Sequence, residues 1–374
     1  MVKMRICHIT INPIDFERRI QNQAMSAHRA GHQIWVLAIG RLDEAKQEIT
    51  KNYTLWRFRT RFYHRGPIKF LNFNLRIFFF LLFRRINIIH CHDLWVLPAA
   101  ALLTLFKKCY LVYDAHEFYQ GLEIFTRKKL QKNIWMITER ICIRQIDVLL
   151  SVSEPITRLY QKKYRNLKQT EVIRNLPLKN STKDASLPPN WPETDKKIIL
   201  YQGHFRPGRG LKYLLEAISM VPEVHLVLIG DGELRSRIED DIEELGLHTR
   251  VTLLGYVPTE KLIQTCSNAD LGVVLFEPTS LNYSYALPNK FFEYIMAGIP
   301  VLASDILTLR EYVAKYDIGM TVNPHDVKAI ASILRLMLSN EVQLAQWQQH
   351  ARHASNTLNW EEEAKKLDRI YENL

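Results

Sequence analysis

Lys290 and Glu293 lie three residues apart in the segment Tyr285–Asp305, YALPNKFFEYIMAGIPVLASD, directly behind Pro288 and Asn289. A lysine offers a point charge to an anion, and a carboxylate accepts hydrogen bonds from the hydroxyls of a polyol. Pro288 stands where a helix would begin, at its first position, and Gly298 where it would end. The free N–H groups and partial positive charge of a helix N-terminus add a natural seat for an anion such as a phosphate. The segment therefore suits a ligand with an anionic part and a polyhydroxyl part. Taken singly, each position also suits a plain helix start with Lys290 and Glu293 on a solvated face.

Two further stretches place donors after an apolar run. In Gly203-His204-Phe205-Arg206-Pro207-Gly208-Arg209-Gly210 the glycines allow close backbone approach, and His204, Arg206 and Arg209 can donate to an anion. A Gly-rich turn with solvated arginines is the competing reading. Gly230-Asp231-Gly232 is weaker alone, because such turns are common. In the first half, His116 stands in Tyr113-Asp114-Ala115-His116-Glu117, beside two carboxylates, as a base or a polar anchor. His90 and His92 form a His-x-His pair. That pattern can bind metal, but the sequence offers no evident third ligand, so a structural or polar-network role is favoured and no metal is assigned.

To position these residues the chain alternates apolar runs with helical patterns. In the first half Ile6–Thr10, Gln33–Ala38, Asn87–His92, Tyr110–Tyr113, Val148–Val152 and Glu171–Asn175 read as strands. Helices are expected over Asp15–Ala30, the apolar run near Leu71–Phe83, Leu97–Phe106 and Lys129–Arg144. Leu176–Lys197, with Pro177, Pro188, Pro189 and Pro192, reads as a linker. The pattern then restarts with strands at Ile198–Gln202, Val224–Ile229, Val251–Leu254, Leu271–Leu275 and Val301–Ala303. Helices at Leu211–Met220, Leu234–Leu245, Thr259–Cys266 and Asn289–Ala297 separate them. Near-continuous apolar strands with intervening helices imply parallel sheets covered on both faces. The expected fold is α/β, two doubly wound Rossmann-like domains facing across a cleft, at residues 1–176 and 198–374 with linker 177–197. The last helix is able to cross back to the first domain. Ligands of such sheets bind outside the carboxyl ends of the strands.

Taken in order, Gly203–Gly210 before Leu211–Ala217, Leu228-Ile229-Gly230-Asp231-Gly232, Val251–Pro258 and Pro288–Gly298 form a specific set. The chain resembles a glycosyltransferase of the GT-B fold, family 4 type, and His90-Cys91-His92-Asp93 and Tyr113–Glu117 agree with one branch of it. The resemblance spans essentially the whole chain and implies a nucleotide-sugar donor, with UDP the expected nucleotide, no cofactor, and retention of anomeric configuration. It implies that Glu293 binds the ribose hydroxyls and that Arg209 takes the place of a diphosphate-binding lysine. The N–H groups near Pro288 and Asn289 would meet the diphosphate. Gly255, Tyr256 and Val257 would lie against the base, and His116 near sugar and acceptor. Gly203, Gly230 and Asp231 complete the expected donor loops, and Lys290 joins Arg209 in stabilising the departing diphosphate. The chain departs from the pattern at His204, where relatives usually carry an arginine, with Arg206 nearby to compensate. It departs again at Tyr285, the first of two positions eight apart that often hold glutamates; Glu277 lies too far upstream for that spacing. Ile11-Asn12-Pro13-Ile14-Asp15 replaces a usual Gly-Gly pair.

With 374 residues, 47% hydrophobic and 10% aromatic, the chain has material for two globular domains. Five scattered cysteines without a CxxC pair point to reduced thiols, and Lys3 and Arg5 run straight into a strand without a secretory leader. A cytoplasmic protein, peripheral on the inner face of the cell membrane, is therefore expected. Residues 1–175 hold 30 Lys+Arg against 13 Asp+Glu, a net +17, whereas the remainder holds 20 against 26, a net −6. Arg57, Arg59, Arg61, Arg65 and Lys69 precede the apolar run and Arg84-Arg85 close it. Such a run is too short to span a bilayer but suits the headgroup region of an anionic membrane; a buried helix with basic ends is the other reading. No nucleic-acid motif is present, and nucleic acid is not expected as a partner. A lipid-linked or growing-polysaccharide acceptor fits the basic half. A nucleotide-sugar epimerase and a non-catalytic sugar-nucleotide or membrane-surface binding protein remain open at this stage.

Overall fold

The computed structural model describes residues 3–59, 66–122, 129–179 and 187–374. Arg61 and Arg65 of the basic flank, and part of the Pro-rich stretch, lie outside the described residues. Two compact units are formed, one by Met1–Asn175 with Glu363–Leu374 and one by Leu176–Glu362.

The first unit is built on β1 (Arg5–Ile9), β2 (Gln33–Gly40), β3 (Gln47–Ile49), β4 (Thr54–Arg59), β5 (Ile88–His92), β6 (Tyr110–Ala115), β7 (Val148–Ser151) and β8 (Gln169–Val172). Their order across the sheet is β3-β4-β2-β1-β5-β6-β7-β8. The sheet is parallel apart from β3, which pairs antiparallel with β4, so the expectation of an entirely parallel sheet is corrected at this edge. The strand sense reverses its direction of addition between β1 and β5, which register His8 opposite His90. Helices Gly66–Leu82, Leu97–Phe106 and Lys129–Cys142 pack side by side on one layer of this unit.

The second unit carries β9 (Lys197–Gln202), β10 (Val224–Ile229), β11 (Val251–Gly255), β12 (Leu271–Val274), β13 (Val301–Ser304) and β14 (Gly319–Val322) in the order β11-β10-β9-β12-β13-β14. All its pairings are parallel. The two-residue period of a strand divides β10 between two cores. Leu226 and Leu228 enter one, Val227 and Ile229 the other. Each such buried aliphatic contributes about 1.5–3 kcal/mol. Leu176 lies in the second of these cores and Trp191 packs against it. The order of addition switches between β9 and β12, so loops 203–210 and 275–288 leave the sheet at the crevice where α/β sheets bind ligands.

Between them stands the helix Asn289–Ala297. The helix has the expected bounds, but Pro288 is its N-cap, extended at φ −76°, ψ 150°, and not its first helical residue. It stops at Gly298, whose φ of 75° favours glycine and where a Cβ would lie 2.7 Å from Arg352 Cγ.

Candidate functional site

In the second unit the carboxyl ends of three strands are laced together. Gly203 N–H donates to Ile229 O at 2.8 Å, Phe205 N–H to Asp231 O at 2.9 Å and Gly230 N–H to Gly255 O at 2.8 Å. A Cβ on Gly230 would sit 2.0 Å from Gly203 O, so only glycine allows the two loops to touch.

Lys290 and Glu293 are not on a solvated face. Both are buried, at 7% and 6% exposure. The Lys290 Nζ rests 3.6 Å from the centroid of the Tyr201 ring and 5.9 Å from that of Phe276. Over the same Phe276 ring, at 4.1 Å, lies the guanidinium of Arg209. Two cations thus share one aromatic neighbour, and among the described residues Lys290 forms no ion pair with a carboxylate. Burial, reinforced by Arg209 and opposed by Glu293, pushes the Lys290 ammonium well below its usual 10.5. The Glu293 carboxylate accepts a short hydrogen bond from Gln202 Nε2, and Cys266 Sγ donates to Gln202 Oε1 at 2.9 Å. Burial and then Glu293 drive the Cys266 thiol up, which keeps it a donor.

Of the remaining residues expected here, His204, Arg206, Asp231 and Asn289 are exposed, and Tyr256 is 80% exposed where β11 ends. The Val257 side chain enters the core. Tyr285 closes a one-turn helix, Leu281–Ser284, partly buried. Glu277, excluded by its spacing, does reach the Gly-rich loop: its N–H donates to Gly208 O at 3.1 Å, and its carboxylate accepts from Gly210 N–H at 3.3 Å. The sequence also gives no sign of Gln202 and Cys266 as partners of Glu293.

The first unit holds a second constellation. His8, His90 and His92 stack in its interior; the rings of His90 and His92 lie 4.5 Å apart and 9° from parallel. Asp114 lies beside them, fully buried, and takes two bonds from Arg19, at 2.7 and 2.8 Å, and one from Gln23 at 2.8 Å. Burial opposes its charge, yet Arg19 and His116 hold Asp114 well below the ordinary 3.8. His116 is 21% exposed, with Nδ1 3.3 Å from Asp93 and Nε2 3.7 Å from Asp114. Burial lowers its pKa, but the two carboxylates win and raise it to about 9. A pKa raised in this way favours the imidazolium form, a hydrogen-bond donor, at neutral pH. His8 and His92 go the other way, pushed below 6.5 by burial and by neighbouring histidines.

His8 supplies the third imidazole that sequence spacing does not show, and the ligand atoms of His8, His90 and His92, and of His92, Asp114 and His116, are mutually within 4.8 Å. Imidazole lone pairs lie in the ring plane, so rings stacked face to face aim along parallel lines and would have to rotate to share one ion. Instead His8 Nδ1 meets His92 Nε2 at 3.0 Å, and Tyr371 OH meets His90 Nδ1 at 2.5 Å.

Comparison with known proteins follows the same division. Residues 16–176 match the family model of Glycosyltransferase Family 4, and residues 183–354 that of Glycosyl transferases group 1. An uncharacterised glycosyltransferase of Methanocaldococcus jannaschii is 30% identical over 144 residues, 37% of this chain and 35% of that protein. A phosphatidyl-myo-inositol mannosyltransferase of Mycobacterium leprae is 28% identical over 184 residues, covering 47% and 46% of the two chains. The chain thus spans less than half the length of these curated relatives. Among solved structures, sucrose-phosphate synthase from Thermosynechococcus elongatus superposes with a TM-score of 0.79 at 19% identity, over 99% of each chain. Anabaena HepE in complex with UDP-glucose gives 0.77 at 16% identity, over 99% of this chain and 100% of that one. With matching family models on both units and a shared fold along its length, this chain belongs to the GT-B glycosyltransferases of family 4 type.

Proposed function

We propose that the protein transfers a sugar from a nucleoside diphosphate donor, UDP-linked, to a hydroxyl of a lipid-linked or polysaccharide acceptor, with retention at the anomeric carbon. The observation that carries this reading is the pair of cations, Lys290 and Arg209, around Phe276 at the switch point of the second sheet. Cleaving a glycosyl–phosphate bond leaves negative charge on the diphosphate while the anomeric carbon becomes electron-poor. Fixed cations in a water-poor site stabilise that charge as it develops. Lys290 is suited to the task because its burial makes an arriving anion its natural partner. In this reading Glu293, steadied by Gln202, accepts hydrogen bonds from the ribose hydroxyls. Loops 203–206 and 230–231 with the N–H groups after Pro288 enclose the diphosphate, and the exposed Tyr256 ring and the Val257 main chain meet the base. His116, as an imidazolium, donates to the sugar or the acceptor. HepE, a protein of the same fold, was solved with UDP-glucose, which supports a UDP donor.

A thermal-shift panel of nucleoside diphosphates tests the reading, since a bound ligand raises the unfolding midpoint. UDP is expected to give the largest shift, and Glu293→Ala and Arg209→Ala each to diminish it. Unchanged affinity in both variants would sink the assignment.

A further inference from the structure

The layer of three helices on the first unit has apolar residues on both of its sides. In Gly66–Leu82 the inner positions Phe73, Ile77 and Leu81 are buried, as a helix packed on a sheet requires. Leu71, Leu75, Phe79 and Phe83, each four residues on from the last, point the other way and are 49–85% exposed. The third helix, Lys129–Cys142, repeats the pattern with Leu130, Ile134, Ile137 and Ile141, 55–76% exposed. Leu102, Leu105 and Phe106 of the helix between them are also exposed. Single exposed apolar side chains are ordinary, but aligned stripes on adjacent helices make a patch that a water-facing surface does not carry.

The charges on this layer have one sign. Arg76, Arg85, Lys108, Lys129, Arg140 and Arg144 are exposed on or just beyond the three helices. The one carboxylate in those helices, Glu139, is fully buried, bonded to Tyr164 OH at 2.6 Å and Lys163 Nζ at 3.0 Å. A second copy of the chain would bring a like-charged face against it, whereas an anionic lipid surface complements both the apolar stripes and the cations.

The stripes border a cavity of about 320 Å³ lined by Phe70, Leu71, Asn74, Pro98, Ile134 and Trp135. Beside it Phe70, Trp95 and Trp135 pack with centroids 4.8–5.3 Å apart. Asn74 directs its amide to Phe70 O and Trp95 O, leaving the cavity apolar. No described helix is long and apolar enough to cross a membrane.

We propose that this face seats the protein on an anionic bilayer, with the exposed stripes immersed among the acyl chains and the Trp135 cavity taking one of them. This deepens the acceptor half of the proposed function and rests on it. The test uses the whole protein and flotation with vesicles of phosphatidylcholine alone or mixed with phosphatidylglycerol. The protein should float with the anionic vesicles and leave them at high salt, and Phe79→Glu with Ile137→Glu should weaken binding at least about ten-fold. Both positions are exposed, and an unchanged UDP thermal shift in that variant confirms that it folds and separates this surface from the donor site. Acyl chains brominated near the headgroup should quench tryptophan emission less in Trp135→Phe than in the wild type. Failure of the wild type to float, or flotation undiminished in the double variant, overturns the membrane assignment. A wild-type dimer that the double variant dissolves would give the face to a second copy and overturn it equally. Quenching identical in Trp135→Phe overturns the role of the cavity.

Discussion

Two buried charges, one in each unit, are treated in opposite ways. Asp114 in the first unit is paired with the Arg19 guanidinium and also held by Gln23, with His90 and His116 near it. Lys290 in the second is equally enclosed but is met by an aromatic face, a second cation and a carboxylate beyond ion-pair range. Hydrogen bonds tie that cluster together, although among the described residues His8 Nε2, His90 Nε2 and Gln23 Oε1 are buried without a hydrogen-bond partner. A buried charge without a counter-ion is costly to keep, and such groups concentrate where a ligand of opposite charge completes the balance. The contrast separates a carboxylate held by a direct ion pair from a lysine enclosed without one.

Substitutions can break this contrast. The largest effect is expected for Arg19→Met, which strands Asp114 in the interior and should cost about 3–5 kcal/mol in denaturant unfolding of the first unit. Lys290→Met should do the reverse, leaving stability unchanged or higher while UDP affinity falls about 10- to 100-fold, the equivalent of ~1.5–3 kcal/mol for a charge-assisted hydrogen bond. If both variants were equally unstable, the two charges would not differ in kind. The smallest effect concerns pH. His8 and His92 are held below the usual 6.5, so the unfolded chain binds protons that the native unit refuses, and stability falls as pH drops below that value. His116, raised to about 9, contributes fully below 6.5 and loses its contribution as pH rises through about 9. The unfolding midpoint of the first unit should therefore peak near pH 6.5, decline from there to about 9 and level off above it, the alkaline decline being worth roughly 1 kcal/mol after solvent screening of a partly exposed ring. His116→Gln should flatten that decline, and a decline that persists would detach it from His116.

The parallel framework was legible because long apolar runs alternate with helical patterns, and Leu97–Phe106, Thr259–Cys266, Asn289–Ala297 and Val224–Ile229 have the bounds their patterns suggest. What escaped was short, assembled at a distance, or lay beyond Ala303, where β14 and the helices Leu307–Tyr316, Val327–Ser339 and Glu341–Ser355 follow. β3 and β4 are brief and carry Glu48, Arg57 and Arg59, charges that mask a strand pattern, and the helix Glu154–Lys163 is ten residues of mixed polarity. In the site, local motifs were readable, whereas long-range partners were not. His8 joins His90 only through strand register, Gln202 reaches Glu293 from another strand end, and Glu277 finds Gly210 through the fold of its loop. Spacing rules cannot see contacts between residues that far apart in sequence.

One connection bears on how the molecule is made. Tyr371, whose hydroxyl meets the buried His90, lies in Glu363–Leu374, a part of the first unit that follows the whole second unit in the chain. A ribosome therefore makes the whole second unit before it reaches Glu363–Leu374. During synthesis the histidine stack thus meets Tyr371 only after all of Leu176–Glu362 has been made.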